Sequence, residues 1–168
     1  MGNTCSSVHI ALTGTTPDAI DGIVRAYTTL GFEPAKTVAP DGGKHVILLR
    51  KEDDRFLSVY DSDNATLDTG ELKDLALATS KIFKTAVVCT SLYDSDTFEF
   101  VVFNAGKQVD LVMTDPEQYS GPLKVLSDKS RAAQWSKVFG KSLSVEGITQ
   151  AITRNSAFAD DALAELSF

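Results

Sequence analysis

The first six residues, Met1-Gly2-Asn3-Thr4-Cys5-Ser6, fit the Met-Gly-x-x-x-Ser/Thr pattern that directs N-myristoylation. Removal of Met1 frees the amine of Gly2 for a myristoyl chain. The thiol of Cys5, then held at the bilayer surface, is placed to take a palmitoyl chain. The pairing matters because one myristoyl chain binds a membrane only marginally, on the order of 10⁴ M⁻¹, whereas two chains anchor stably. A polybasic patch is the usual substitute for the second chain. Here Arg25 is the sole Lys or Arg between Ser6 and Glu33, so the second signal has to be Cys5.

A second set of residues suggests cation chemistry. Ser58-Val59-Tyr60-Asp61-Ser62-Asp63 recurs as Ser91-Leu92-Tyr93-Asp94-Ser95-Asp96. Each copy ends a run that reads as a strand, so Asp61, Asp63, Asp94 and Asp96 gather at one rim if the two strands are parallel neighbours. Carboxylates so grouped suit Ca²⁺ or Mg²⁺, which prefer oxygen ligands. The segment starting at Asp61 is not an EF-hand loop: its sixth position is Thr66 where glycine is required, and its twelfth is Leu72 where a bidentate Glu is required. Asp and Ser are also ordinary turn formers that bond their own backbone and end strands.

His9 lies in an apolar run, and the helix-forming stretch after it closes on Leu30-Gly31-Phe32-Glu33. From Val8 to about Tyr60 this resembles the opening of a glyoxalase, or vicinal-oxygen-chelate, module. The resemblance implies a βαβββ unit that binds a metal through His and Glu, with His9 as a ligand. That family pairs two modules, and this chain offers no matching histidine in a second one; His45 is the only other. Cys89 sits among Val87, Val88 and Thr90 with Lys84 five residues away, and reads as a buried structural residue rather than a thiolate nucleophile. No Gly-x-Ser-x-Gly elbow, Gly-x-Gly-x-x-Gly or phosphate-binding Gly-x-x-x-x-Gly-Lys-Ser/Thr occurs.

The elements that must position these groups follow from periodicity. Residues 8–12 form a strand. Thr16 caps a helix with Pro17 at its first position, Ile20, Ile23, Val24, Tyr27 and Leu30 form one inward stripe, and Gly31 stops it. Strands at 45–49 and 56–60 make a hairpin. Asp68 and Glu71 start a second helix through Phe83, and strands follow at 86–92, 98–103 and 109–113, the last two joined by the tight turn Asn104-Ala105-Gly106-Lys107. Asp110 and Lys107 read as charges that guard an open edge strand. From Asp115 onward the pattern is helical, at 130–139 with Gly140 as its stop, 145–153 and 158–166, with Trp135 on a core-facing side.

The order predicts an α+β domain, a ferredoxin-like βαββαβ sandwich extended by one β-hairpin, with parallel strands in each crossover and C-terminal helices packed on the sheet. The divisions are an arm at 1–7, the sandwich at 8–114 and a helical subdomain at 115–168. With 43% hydrophobic and 23% charged residues among 168, the chain is long enough for a core without disulfides, and its two cysteines make no disulfide framework. A net charge of −7 argues against nucleic acid as a partner and makes an anionic leaflet mildly repulsive. No secretory leader or membrane-spanning run is present. The expected protein is a non-catalytic interaction or scaffold domain for a protein partner, cytoplasmic and held to the inner face of a membrane by lipid. The competing expectation is a metal-dependent enzyme or small-ligand binder, glyoxalase-like or built on the clustered aspartates.

Overall fold

The structure, a computed structural model, describes residues 5–12, 15–35, 46–49, 55–61, 69–93, 97–113, 126–140 and 144–147. Within them the elements run β1 (Cys5–Ala11), α1 (Thr16–Thr29), β2 (Val46–Leu49), β3 (Phe56–Asp61), α2 (Thr69–Phe83), β4 (Ala86–Tyr93), β5 (Thr97–Asn104), β6 (Lys107–Met113) and α3 (Asp128–Phe139). The fold mixes helix and strand, as the α+β reading requires. Its six strands form one sheet in the order β2-β3-β1-β4-β5-β6.

Every neighbouring pair in that sheet is antiparallel. The parallel pairing expected within each crossover is therefore absent. β3 folds back between β1 and β2, and β1 lies between β3 and β4, so strands that share a direction never touch. β1 also starts earlier than the sequence suggests: Cys5 is already opposite Leu92 of β4, and Ser7 is opposite Thr90. Residues 5–7, assigned by sequence to an N-terminal arm at 1–7, belong to β1.

Successive strand residues face opposite sides, and the core divides accordingly. Val8, Ile10, Leu57, Val59, Val87, Cys89, Val101 and Phe103 pack with Ala19, Ile23 and Ala26 of α1 and Leu72, Leu75 and Ala76 of α2. Phe56, Val88, Leu92, Phe98, Phe100, Val102 and Val112 pack with Ala132, Trp135 and Phe139 of α3. Helix α3 thus packs on this face of the sheet. Residues 145–147 are helical; the rest of the helix expected at 145–153, and all of the one at 158–166, lie outside the described residues.

Local signals set the helix ends. The cap of α1 is Thr15, one residue before the expected Thr16; its hydroxyl donates to Asp18 Oδ2 at 2.5 Å, and Pro17 fits the first turn because proline has no N–H to lose there. Gly22 faces α2 so closely that a Cβ would lie 2.1 Å from Cζ of Phe83. Helix α3 is capped by Ser127, whose side chain accepts from the Ser130 N–H, and ends at Gly140 in the left-handed conformation with φ 64°. The β5–β6 turn has φ 48° at Ala105 and 78° at Gly106, positive at both central positions as the strand-matching hairpin turn demands.

Asp110 does not guard the edge. A register shift between Val102 and Phe103 aligns Asp110 with Val102 on the face that α3 covers, and Asp110 is buried. Its Oδ2 accepts from Arg131 Nε at 2.7 Å and Trp135 Nε1 at 2.9 Å, while Oδ1 accepts from the Leu111 N–H at 2.9 Å. The carboxylate joins α3 to β6, and only Lys107 remains an exposed charge on that strand's start. Trp135, stacked on Phe100 at 5.1 Å, is core as its helical position predicts.

Candidate functional site

Of the two residues that the acylation motif names, the structure describes the backbone of one, at a rim of the sheet. Gly2 lies outside the described residues, whereas the backbone of Cys5 opens β1. The ends of β3 at Asp61 and of β4 at Tyr93 share this rim, because both strands run opposite to β1. β3 and β4 are not the neighbours that the aspartate cluster needs, since β1 separates them. Asp63, Asp94 and Asp96 lie outside the described residues, as does the side chain of Asp61. Among the described residues no group of three or more His, Cys, Asp or Glu could hold a metal.

His9 is buried in the sheet among hydroxyls. Its Nε2 lies 2.7 Å from Ser7 Oγ and its Nδ1 2.8 Å from Ser58 Oγ, and Ser7 Oγ lies 2.9 Å from Thr90 Oγ1. The Tyr60 ring meets the imidazole edge-on at 6.5 Å. Burial pulls its pKa down to about 3, so the ring is neutral at physiological pH. Both nitrogens are engaged by neutral hydroxyls of β1 and β3, an arrangement that fixes the ring. After β3 the chain enters α2, where the glyoxalase-like module would continue with another strand.

Cys89 is buried on the side covered by α1 and α2. Burial and then the negative charge of Glu99 push its thiol up, against a smaller opposing effect of Lys73, whose ammonium donates to Glu99 at 2.6 Å. A thiol so placed is not a nucleophile. Alkylation of Cys89 should therefore require unfolding: mass spectrometry after iodoacetamide treatment at pH near 8 should find it unmodified in native protein and fully modified in denaturant.

The feature absent from the sequence reading is a groove. Of the apolar stripe on α1, only Ile23 is fully buried; Ile20 is 45% and Val24 39% exposed, and Ala19 and Ala26 take the core positions instead. Ile20, Val24 and Tyr27 line an apolar groove of about 350 Å³ with Val46 and Leu48 of β2 and the segment Phe32-Glu33-Pro34-Ala35. The signal was present as a stripe broader than one helix face needs, and alanines, which any environment accepts, disguised the true core side. Among the described residues no helix is long and apolar enough to cross a membrane. No family model, curated protein or solved structure matches this chain.

Proposed function

We propose that the protein is a non-catalytic recognition or scaffold domain for a protein partner, tethered to the cytoplasmic face of a membrane by acyl chains on Gly2 and Cys5. The observation that carries this reading is the join between motif and fold: the acylation motif runs directly into β1, whose sheet pairing begins at Cys5. In sequence only Asn3 and Thr4 separate Gly2 from Cys5, so anchoring would set the orientation of the sheet rim as well as the location. The strand order β2-β3-β1-β4, with helices after β1 and β3, supports a ferredoxin-like core to which the β5–β6 hairpin is added.

Hydrocarbon would have to supply the attachment, because a chain of net charge −7 gains nothing from an anionic leaflet. In a eukaryotic host, intact mass should show both acyl groups on the parent, only myristate on Cys5→Ser, and neither on Gly2→Ala. Sedimentation with neutral vesicles should then rank them as stably bound, weakly and reversibly bound, and unbound. A parent protein with an unmodified N-terminus would end this reading.

A further inference from the structure

We infer that the groove between α1 and β2 is the seat of the myristoyl chain carried by this protein's own Gly2, giving the domain a detached state with the chain folded in and a membrane-bound state with it released. The inference rests on the acylation reading above and adds a site to it. Three observations carry it.

The first is chemical. Ile20, Val24, Tyr27, Val46 and Leu48 make an apolar lining, and Glu33 is its single charged member. Among the described lining residues no cation is present to receive the carboxylate of a free fatty acid, whereas an amide-linked acyl chain brings no charge to the site. The volume of about 350 Å³ lies within the range of roughly 300–1,000 Å³ that holds small organic ligands.

The second is topological. Val46 of β2 is opposite Asp61 of β3, and the β1–β3 register, Val8 with Val59, carried two residues further places Ser6 at the same level. Val46, in the groove lining, therefore lies at the same rim as the start of β1. Helix α1 begins at the far rim, after Ala11, and its 14 residues return it to this one, since about 21 Å of helix matches the length of the seven-residue strand. Tyr27 and Phe32 thus come over the rim where Cys5 starts.

The third is reach. β2 lies two strands from β1, about 10 Å away, and the three residues from Cys5 back to Gly2 span up to about 10 Å when extended. The length of these residues thus matches the distance across the sheet from β1 to β2, and the acyl chain adds its own length to that reach.

The test uses the full chain made with an N-myristoyltransferase and isotope-labelled myristate, with acylation verified by mass. Isotope-filtered NMR should show contacts from the acyl methylenes to the methyl groups of Ile20, Val24 and Val46. If the seated state is favoured about ten to one, Val24→Glu should raise binding to phosphatidylcholine vesicles about tenfold by expelling the chain; Ile20→Glu should act alike, and Gly2→Ala should abolish the gain in either background. Circular dichroism equal to the parent's shows which variants keep the fold. Complete acylation without those contacts, and with unchanged vesicle binding in both groove variants, overturns the inference and leaves the groove to a partner's apolar side chains. A mass without myristate instead overturns the acylation reading, and the inference falls with it.

Discussion

Asp110→Ala should destabilise the domain by about 3–5 kcal/mol, the penalty for leaving a buried ionic partner uncompensated. The carboxylate is wholly inaccessible and the Arg131 side chain is 8% exposed, so water cannot replace what the substitution removes. Three donors lose their acceptor together: Arg131 Nε, the Trp135 indole N–H and the Leu111 N–H. Against a typical total stability of about 5–15 kcal/mol, this is enough to release α3 or to unfold the domain. Trp135 is the single tryptophan, so its emission reports on the contact without ambiguity, and urea titration followed by fluorescence and by far-UV dichroism separates the two outcomes. Coincident shifts mean global loss; an early fluorescence transition means that α3 leaves an intact sheet. Asp110→Ala combined with Arg131→Met should recover much of the loss, because a buried ion pair replaced by apolar groups is often neutral. Equal stability of parent and Asp110→Ala would show that the carboxylate does not hold α3.

Asp110 shows what sequence patterns carry. A charge in a terminal strand is locally indistinguishable from an edge guard, and what reverses the meaning is Arg131, 21 residues away on a helix that covers that face. The same holds for His9, whose partner Ser58 is 49 residues distant. By contrast, the end of α3 at Gly140, the first turn of α1 around Pro17, and the turn at Ala105-Gly106 are set by backbone chemistry within a few residues, and these were legible. The strand segments were legible too, but not their neighbours: the run 45–49 is apolar enough to suggest a central strand, yet β2 is an end strand of the sheet, and only pairing reveals that β3 enters between β1 and β2. The groove is hidden from the sequence for a related reason. Period 3.6 identifies an apolar stripe on α1 but cannot divide it between core and solvent, and that division depends on how far the short edge strand β2 extends beneath the helix.

The second large effect concerns acid. His9 is neutral in the fold, with its pKa pulled down to about 3 by burial, and returns toward 6.5 when the chain unfolds. The unfolded state therefore binds the extra proton first, so stability is complete above pH 6.5 and declines as pH falls toward 3. With each pKa unit near 1.4 kcal/mol, the loss between about pH 8 and pH 5 is about 2 kcal/mol from this residue alone. The decline continues at about 1.4 kcal/mol per unit until the folded pKa is reached. His9→Asn keeps an amide able to meet the hydroxyls of Ser7 or Ser58 but carries no titrating group. It should cost about 1–2 kcal/mol near pH 8 through imperfect replacement of the two hydrogen bonds, and its urea midpoints should then vary little down to pH 5. The two stability curves should converge or cross as acid is added, since only the parent loses stability to His9 protonation. Parallel curves would mean that the imidazole is already protonated, or reached by water, in the native fold. Burial would then not be what keeps it neutral, and the hydroxyls around it would be accepting from an imidazolium.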